Sequence, residues 1–132
     1  MEQTLKNGEA VRGYLIDPEK QTITEISVPY VLRSDGEKSL LRGMYDAIGC
    51  RVVDCVRDAI PGAEDNDIWV DEEGIDDVFG FSLPELLGYG VRLGGRGLVL
   101  GVDIETGDET SSTLSSERLQ WLKDNIIWLN AC

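Results

Sequence analysis

The stretch Leu98-Val99-Leu100-Gly101-Val102-Asp103-Ile104, running into Glu105-Thr106-Gly107-Asp108-Glu109-Thr110, decides the fold. Its apolar run is almost uninterrupted, so neither side of it suits water. That pattern predicts a central strand covered on both faces. The acidic, glycine-containing stretch behind it predicts a hairpin-like turn.

Working outward toward the N-terminus, Gly88, Gly90, Gly94, Gly95 and Gly97 predict mobile or tightly turned backbone leading into that strand. Ser82-Leu83-Pro84-Glu85-Leu86-Leu87 reads as a short helix, with Ser82 as cap and Pro84 in the first turn. Asp65-Asn66-Asp67-Ile68-Trp69-Val70-Asp71-Glu72-Glu73-Gly74 reads as a strand entering an acidic turn. Val52 to Val56 is another strand, and Pro61-Gly62 a break. Ser39 is placed to cap a helix through Leu40, Leu41, Met44, Tyr45 and Ile48, which stops at Gly49. Val11 to Ile16 and Thr22 to Val28 predict a hairpin turning at Asp17-Pro18-Glu19-Lys20. Period-two alternation puts Ile26 and Val28 on one face, with Ile23 on the other.

Toward the C-terminus, Ser115 or Ser116 caps a last helix whose stripe is Leu119, Leu122, Ile126 and Leu129. Trp121 and Trp128 flank the stripe. The expected fold is therefore α+β: a mainly antiparallel sheet, two or three helices packed on one face, and an amphipathic C-terminal helix. All 132 residues are expected to form one domain, with residues 1–9 frayed or edge-like.

Composition bounds the function. Asp and Glu number 25 against 12 Lys and Arg, a formal net charge of −13. Such a field repels nucleic acid and anionic membrane, and attracts basic protein surfaces. The carboxylates concentrate between Asp54 and Glu85 and again between Asp103 and Glu109. The chain contains no His, so Ser-His-Asp and Cys-His machinery is excluded. Cys50, Cys55 and Cys132 have neither the number nor the spacing of a disulfide framework or a zinc site. They read as two buried thiols and one terminal thiol. No signal segment and no membrane-length apolar run is present, which predicts a cytoplasmic protein.

Three features carry a likeness to a known family. They are Gly13-Tyr14-Leu15-Ile16-Asp17-Pro18 continuing to Ile26, Trp69-Val70-Asp71-Glu72-Glu73-Gly74, and the valine-rich strand followed by Glu105-Thr106-Gly107-Asp108-Glu109 and Leu114-Ser115-Ser116-Glu117. Together these resemble the DUF3846 family of small phage and mobile-element proteins, over roughly residues 12–122. The segment from Ile75 to Gly97 is longer and richer in glycine than the family pattern. The resemblance implies a gene carried by a phage or mobile element, acting inside a bacterium. It implies no biochemical activity.

The leading expectation is a non-enzymatic accessory protein that binds a basic host protein, including DNA mimicry against a defence or nucleic-acid enzyme. The partner-binding candidates are Asp67, Asp71, Glu72, Glu73, Asp76, Asp77, Glu85, Asp103, Glu105, Asp108 and Glu109. A second reading is a binder of a small anion such as a nucleotide, using Arg92, Gly94, Gly95 and Arg96 in the glycine loop 88–97. A third is a divalent-metal carboxylate enzyme. The acid runs lack the register of a calcium loop, so no metal and no cofactor is expected. The apolar end Ile126-Ile127-Trp128-Leu129 is broader than one stripe requires. It points to a self-association surface at Trp121 and Trp128, as in a homodimer through the C-terminal helix.

Overall fold

The computed structural model describes residues 3–4, 10–32, 34–36 and 38–130. In chain order the elements are β1 (Gln3–Thr4), β2 (Ala10–Asp17), β3 (Thr22–Pro29), β4 (Val31–Leu32), β5 (Lys38–Ser39), α1 (Leu41–Ile48), β6 (Val53–Val56) and β7 (Asn66–Asp71). A 3₁₀ turn at Gly74–Asp76 follows. Then come β8 (Phe79–Ser82), α2 (Pro84–Gly88), β9 (Leu93–Gly94), β10 (Gly97–Val102), β11 (Glu109–Thr110), α3 (Ser116–Asn125) and β12 (Ile127–Asn130).

The apolar run forms β10 as far as Val102, and it is central as its composition demands; Asp103 and Ile104, expected in the strand, belong to the turn instead. The main sheet has the order β3-β2-β10-β7-β6, with β11 also on β10. Its pairings are all antiparallel. β2 and β3 form the expected hairpin, in register from Ala10↔Pro29 to Asp17↔Thr22. Its turn is held by Asp17, whose Oδ1 accepts the amides of Glu19 at 3.1 Å and Lys20 at 3.3 Å.

Alternation along β10 divides the core in two. Val99 packs with Ile16, Ile68, Phe81, Leu83 and Leu122 on one face. Leu98 and Leu100 pack with Val11, Val28, Met44 and Ile48 on the other. Ile23 joins the first cluster and Ile26 the second, so the out-of-phase position is a residue of the opposite core. The α+β class, the mainly antiparallel sheet and three helices are as the sequence indicates. The helices are shared between the faces, however: α1 covers one and α3 lies on the other. A strand buried on both sides requires cover on both sides.

Three local expectations are corrected. Ser39 does not cap α1. It lies in β5 opposite Val31, and Leu40 takes the cap position, although the Ser39 hydroxyl still accepts the Leu41 amide at 3.2 Å. Ser82 does not cap α2. It ends β8, its hydroxyl donates to the Val91 carbonyl at 2.7 Å, and Leu83 precedes the helix with Pro84 at its start. The last helix does not reach Leu129. It ends at Asn125, whose side-chain amide donates to the Trp121 carbonyl at 2.8 Å, and Ile127–Asn130 turns into a strand.

That strand builds a second small sheet, β12-β8-β9, with Trp128 opposite Phe81 and Leu93 also opposite Phe81. A β-branched and aromatic run is better served by a strand than by a fourth helical turn. Gln3–Thr4 is an edge strand, paired with Val31–Leu32. The remainder of the expected frayed start, residues 1–2 and 5–9, and the terminal thiol of Cys132 lie outside the described residues. Among the described residues no helix is long and apolar enough to cross a membrane.

Candidate docking surface

The register of β10 against β7 fixes where the acidic segments go. Gly97 pairs with Val70 and Gly101 with Asn66, so the turn after β7 and the turn after β10 leave the sheet at opposite ends. The candidate carboxylates are therefore split into two groups, separated by the length of β10, about 17 Å.

At the first end stand Asp71, Glu72, Glu73, Asp76 and Asp77, with Asp17 and Glu19 from the β2–β3 turn. Basic groups are interleaved with them. Arg51 grips Glu73 with two hydrogen bonds, 2.8 and 3.0 Å, and holds its carboxyl below the usual carboxylate range. Arg96 lies 3.7 Å from the buried Asp17. Several carboxylates also serve as turn acceptors: Asp71 for the Glu73 amide at 2.8 Å and Asp77 for the Phe79 amide at 3.0 Å. Glu85 lies apart from these turns, exposed in the first turn of α2.

At the other end, Asp58, Glu64, Asp67 and Asp103 line one cleft of about 240 Å³ together with Arg57, Val102, Ile104 and Gly107. Arg57 is the one basic residue among the lining residues. Asp65 sits beside it, since its carbonyl accepts the Val102 amide at 2.8 Å. Glu105, Asp108 and Glu109 extend the negative surface along the hairpin. That hairpin is firmly built: Asp103 Oδ1 accepts the Glu105 amide at 2.9 Å, and Gly107 adopts a positive φ of 77°. Near its tip Ile104 stands 76% exposed, an apolar side chain in the lining of the acidic cleft. Asp67 is buried near Cys55. Burial chiefly pushes that thiol up, Arg57 opposes the shift, and Asp67 adds to it.

Asp67, Asp103, Glu105, Asp108 and Glu109 are thus gathered at one end, and Asp71, Glu72, Glu73, Asp76 and Asp77 at the other. Asp58, Glu64, Arg57 and Ile104 belong to the second surface but carry no local motif. They are found only by noting that β7 and β10 are antiparallel, so the loop entering β7 must meet the loop leaving β10.

The glycine loop is arranged around contacts of its own. Arg92 donates to the carbonyls of Asp77 at 2.6 Å and Val78 at 3.1 Å. Gly94 packs against Gly74, and Gly95, with φ 79°, approaches the Asp77 carboxylate. Arg92 and Arg96 are both half-buried, each beside an acceptor from the chain itself. Trp121 and Trp128 are half-buried against the cluster around Phe81 and Leu122. Among the described residues no three or more Cys, Asp or Glu are grouped so as to hold a metal ion.

Comparison with known proteins adds one relationship. No curated protein and no solved structure matches the chain. A family model does match, over residues 11–126, from the start of the first hairpin to the end of α3. The chain therefore belongs to the DUF3846 family, a domain of unknown function.

Proposed function

We propose that this protein is a non-catalytic binder that presents the carboxylate surface at the hairpin end of its sheet to a basic partner protein. The observation that carries this reading is the convergence of Asp58, Glu64, Asp67 and Asp103 on one cleft, with Arg57 as its single basic lining residue. The formal charge of −13 supplies the long-range field that steers such an encounter. Ile104 supplies an exposed apolar contact inside the charged rim, the arrangement of an interface anchor. A protein that binds nucleic acid carries a positive cleft of the matching sign. The partner is accordingly a host nucleic-acid or defence enzyme whose DNA site the surface occupies, and the gene is that of a phage or mobile element acting inside a bacterial cell.

The test is capture from a bacterial lysate by the immobilised protein and by the variant Asp58→Asn, Glu64→Gln, Asp103→Asn. The Asn at 103 keeps the turn acceptor. Proteins held by the wild type should be released by about 500 mM salt, where the screening length is only a few ångströms. They should also be displaced by duplex DNA and be missing from the variant. Equal capture by the variant rejects the surface, and retention against DNA rejects the mimicry.

A further inference from the structure

Among the described residues, α1 is the helix that covers one face of the main sheet. α1 has eight residues, about 12 Å of helix. Beside it lies a cleft of about 640 Å³. Tyr30, Leu40, Leu41, Met44 and Trp69 form its apolar lining, and Asp108 and Glu109 stand at its acidic side. The volume lies within the range of sites that enclose organic groups.

Three observations say what fits there. The first is charge. Neither Asp108 nor Glu109 has an ion-pair partner among the described residues, so the rim favours a cation and disfavours an anion. The second is packing. Leu41 is 43% exposed on the first turn of α1. Trp69, on β7, keeps its indole Nε1–H buried without an acceptor among the described residues, a donor left for a carbonyl of whatever enters the cleft. The third is continuity. The hairpin that contributes Asp108 and Glu109 to this cleft contributes Asp103, Ile104 and Gly107 to the acidic cleft.

We infer that a basic segment of the partner crosses this hairpin, setting its Lys or Arg side chains on the carboxylates and inserting a neighbouring apolar side chain into the cleft beside α1. Recognition is then bipartite: the charges steer, and the apolar insertion selects among basic segments. This rests on the docking surface proposed above and adds the chemistry of what docks.

Two synthetic peptides of equal length and charge, both free of tryptophan, test it: lysines interspersed with leucines, and lysines interspersed with serines. Binding is measured by calorimetry at low salt on the wild type, on Leu41→Asp, and on the Asp58/Glu64/Asp103 variant. Asp at the start of a helix favours its dipole, so Leu41→Asp should fold; Leu41→Ser repeats the test without added charge. The leucine peptide should bind the wild type about tenfold tighter or better, as expected for burying one such side chain. Leu41→Asp should erase that margin while leaving the serine peptide bound equally or more tightly.

Equal affinity of the two peptides for the wild type, or a margin that survives both Leu41 variants, overturns the inference. If serine-peptide binding persists and is salt-sensitive in that case, the acidic surface stands without the cleft. If the serine peptide fails to bind while the leucine peptide binds in a Leu41-dependent way, the cleft stands and the acidic surface falls. Failure of both peptides overturns both readings.

Discussion

The carbonyl oxygen of Gly74 occupies the place where a side chain on Gly94 would begin, and the Gly94 carbonyl stands likewise over Gly74. The two backbones touch because neither residue has a Cβ. This contact ties the acidic turn after β7 to the short edge strand β9. Alanine at either position should cost about 3 kcal/mol, the upper range for forcing a methyl group into filled space. Urea unfolding measures it; wild-type midpoints for both variants would mean the two segments are not apposed.

The Arg51–Glu73 pair gives a pH prediction. Arg51 holds Glu73 below its unfolded value, chiefly by hydrogen bonding and then by charge. Its stabilising contribution is therefore present above the unfolded carboxyl value, about 4.3, and lost as pH falls through the folded value. Carboxyl NMR should show Glu73 titrating at higher pH in Arg51→Gln than in the wild type. The stability gap between the two proteins should close under acid. An unchanged Glu73 titration would remove the pair from solution.

Cys50 and Cys55 are free and half-buried, and burial is the main cause pushing both thiols up. A raised folded value favours the neutral thiol, so their contribution is complete below the ordinary thiol range, about 8.5, and is lost as pH rises through the folded value. Alkylation at neutral pH, followed by peptide mapping, should label both slowly in the native protein and rapidly in urea. Fast native labelling of either would show its site to be open.

Leu122 is the fully buried residue of α3 and meets the Phe81 cluster. Leu122→Ala should cost about 3 kcal/mol. Leu119→Ala, at a half-buried position on the same helix, should cost less. Urea midpoints in the reverse order would put α3 on the sheet by a different face.

Much of this architecture is legible from local pattern. The β10 run, the Asp17-Pro18 hairpin, the Gly49 stop and the Glu105–Thr110 turn each carry their own signal, because turn chemistry and apolar periodicity act over a few residues. What escapes is set by distant partners. Ser39 and Ser82 both look like helix caps, yet Val31 and the Val91 carbonyl claim them. Ile126 to Leu129 continues a helical stripe in sequence, and only the presence of β8 makes it a strand. The site shows the same limit. The carboxylates are plain in composition, but their division between two ends of the sheet follows from the pairing of β7 with β10. Asp58, Glu64 and Ile104 gain significance only once that pairing is known.

The closure of the small sheet by β12 has a consequence for birth on the ribosome. Phe81 and Gly80 wait for Trp128 and Leu129, which are synthesised more than forty residues later. The first hairpin can form as soon as Pro29 leaves the exit tunnel, whereas the outer edge of β8 stays open until β12 has emerged. During that interval the nascent chain displays β8 with one edge unpaired, the kind of surface that holdase chaperones engage. Maturation of the small sheet is thus paced by β12, even though the strongest local signals come much earlier in the chain.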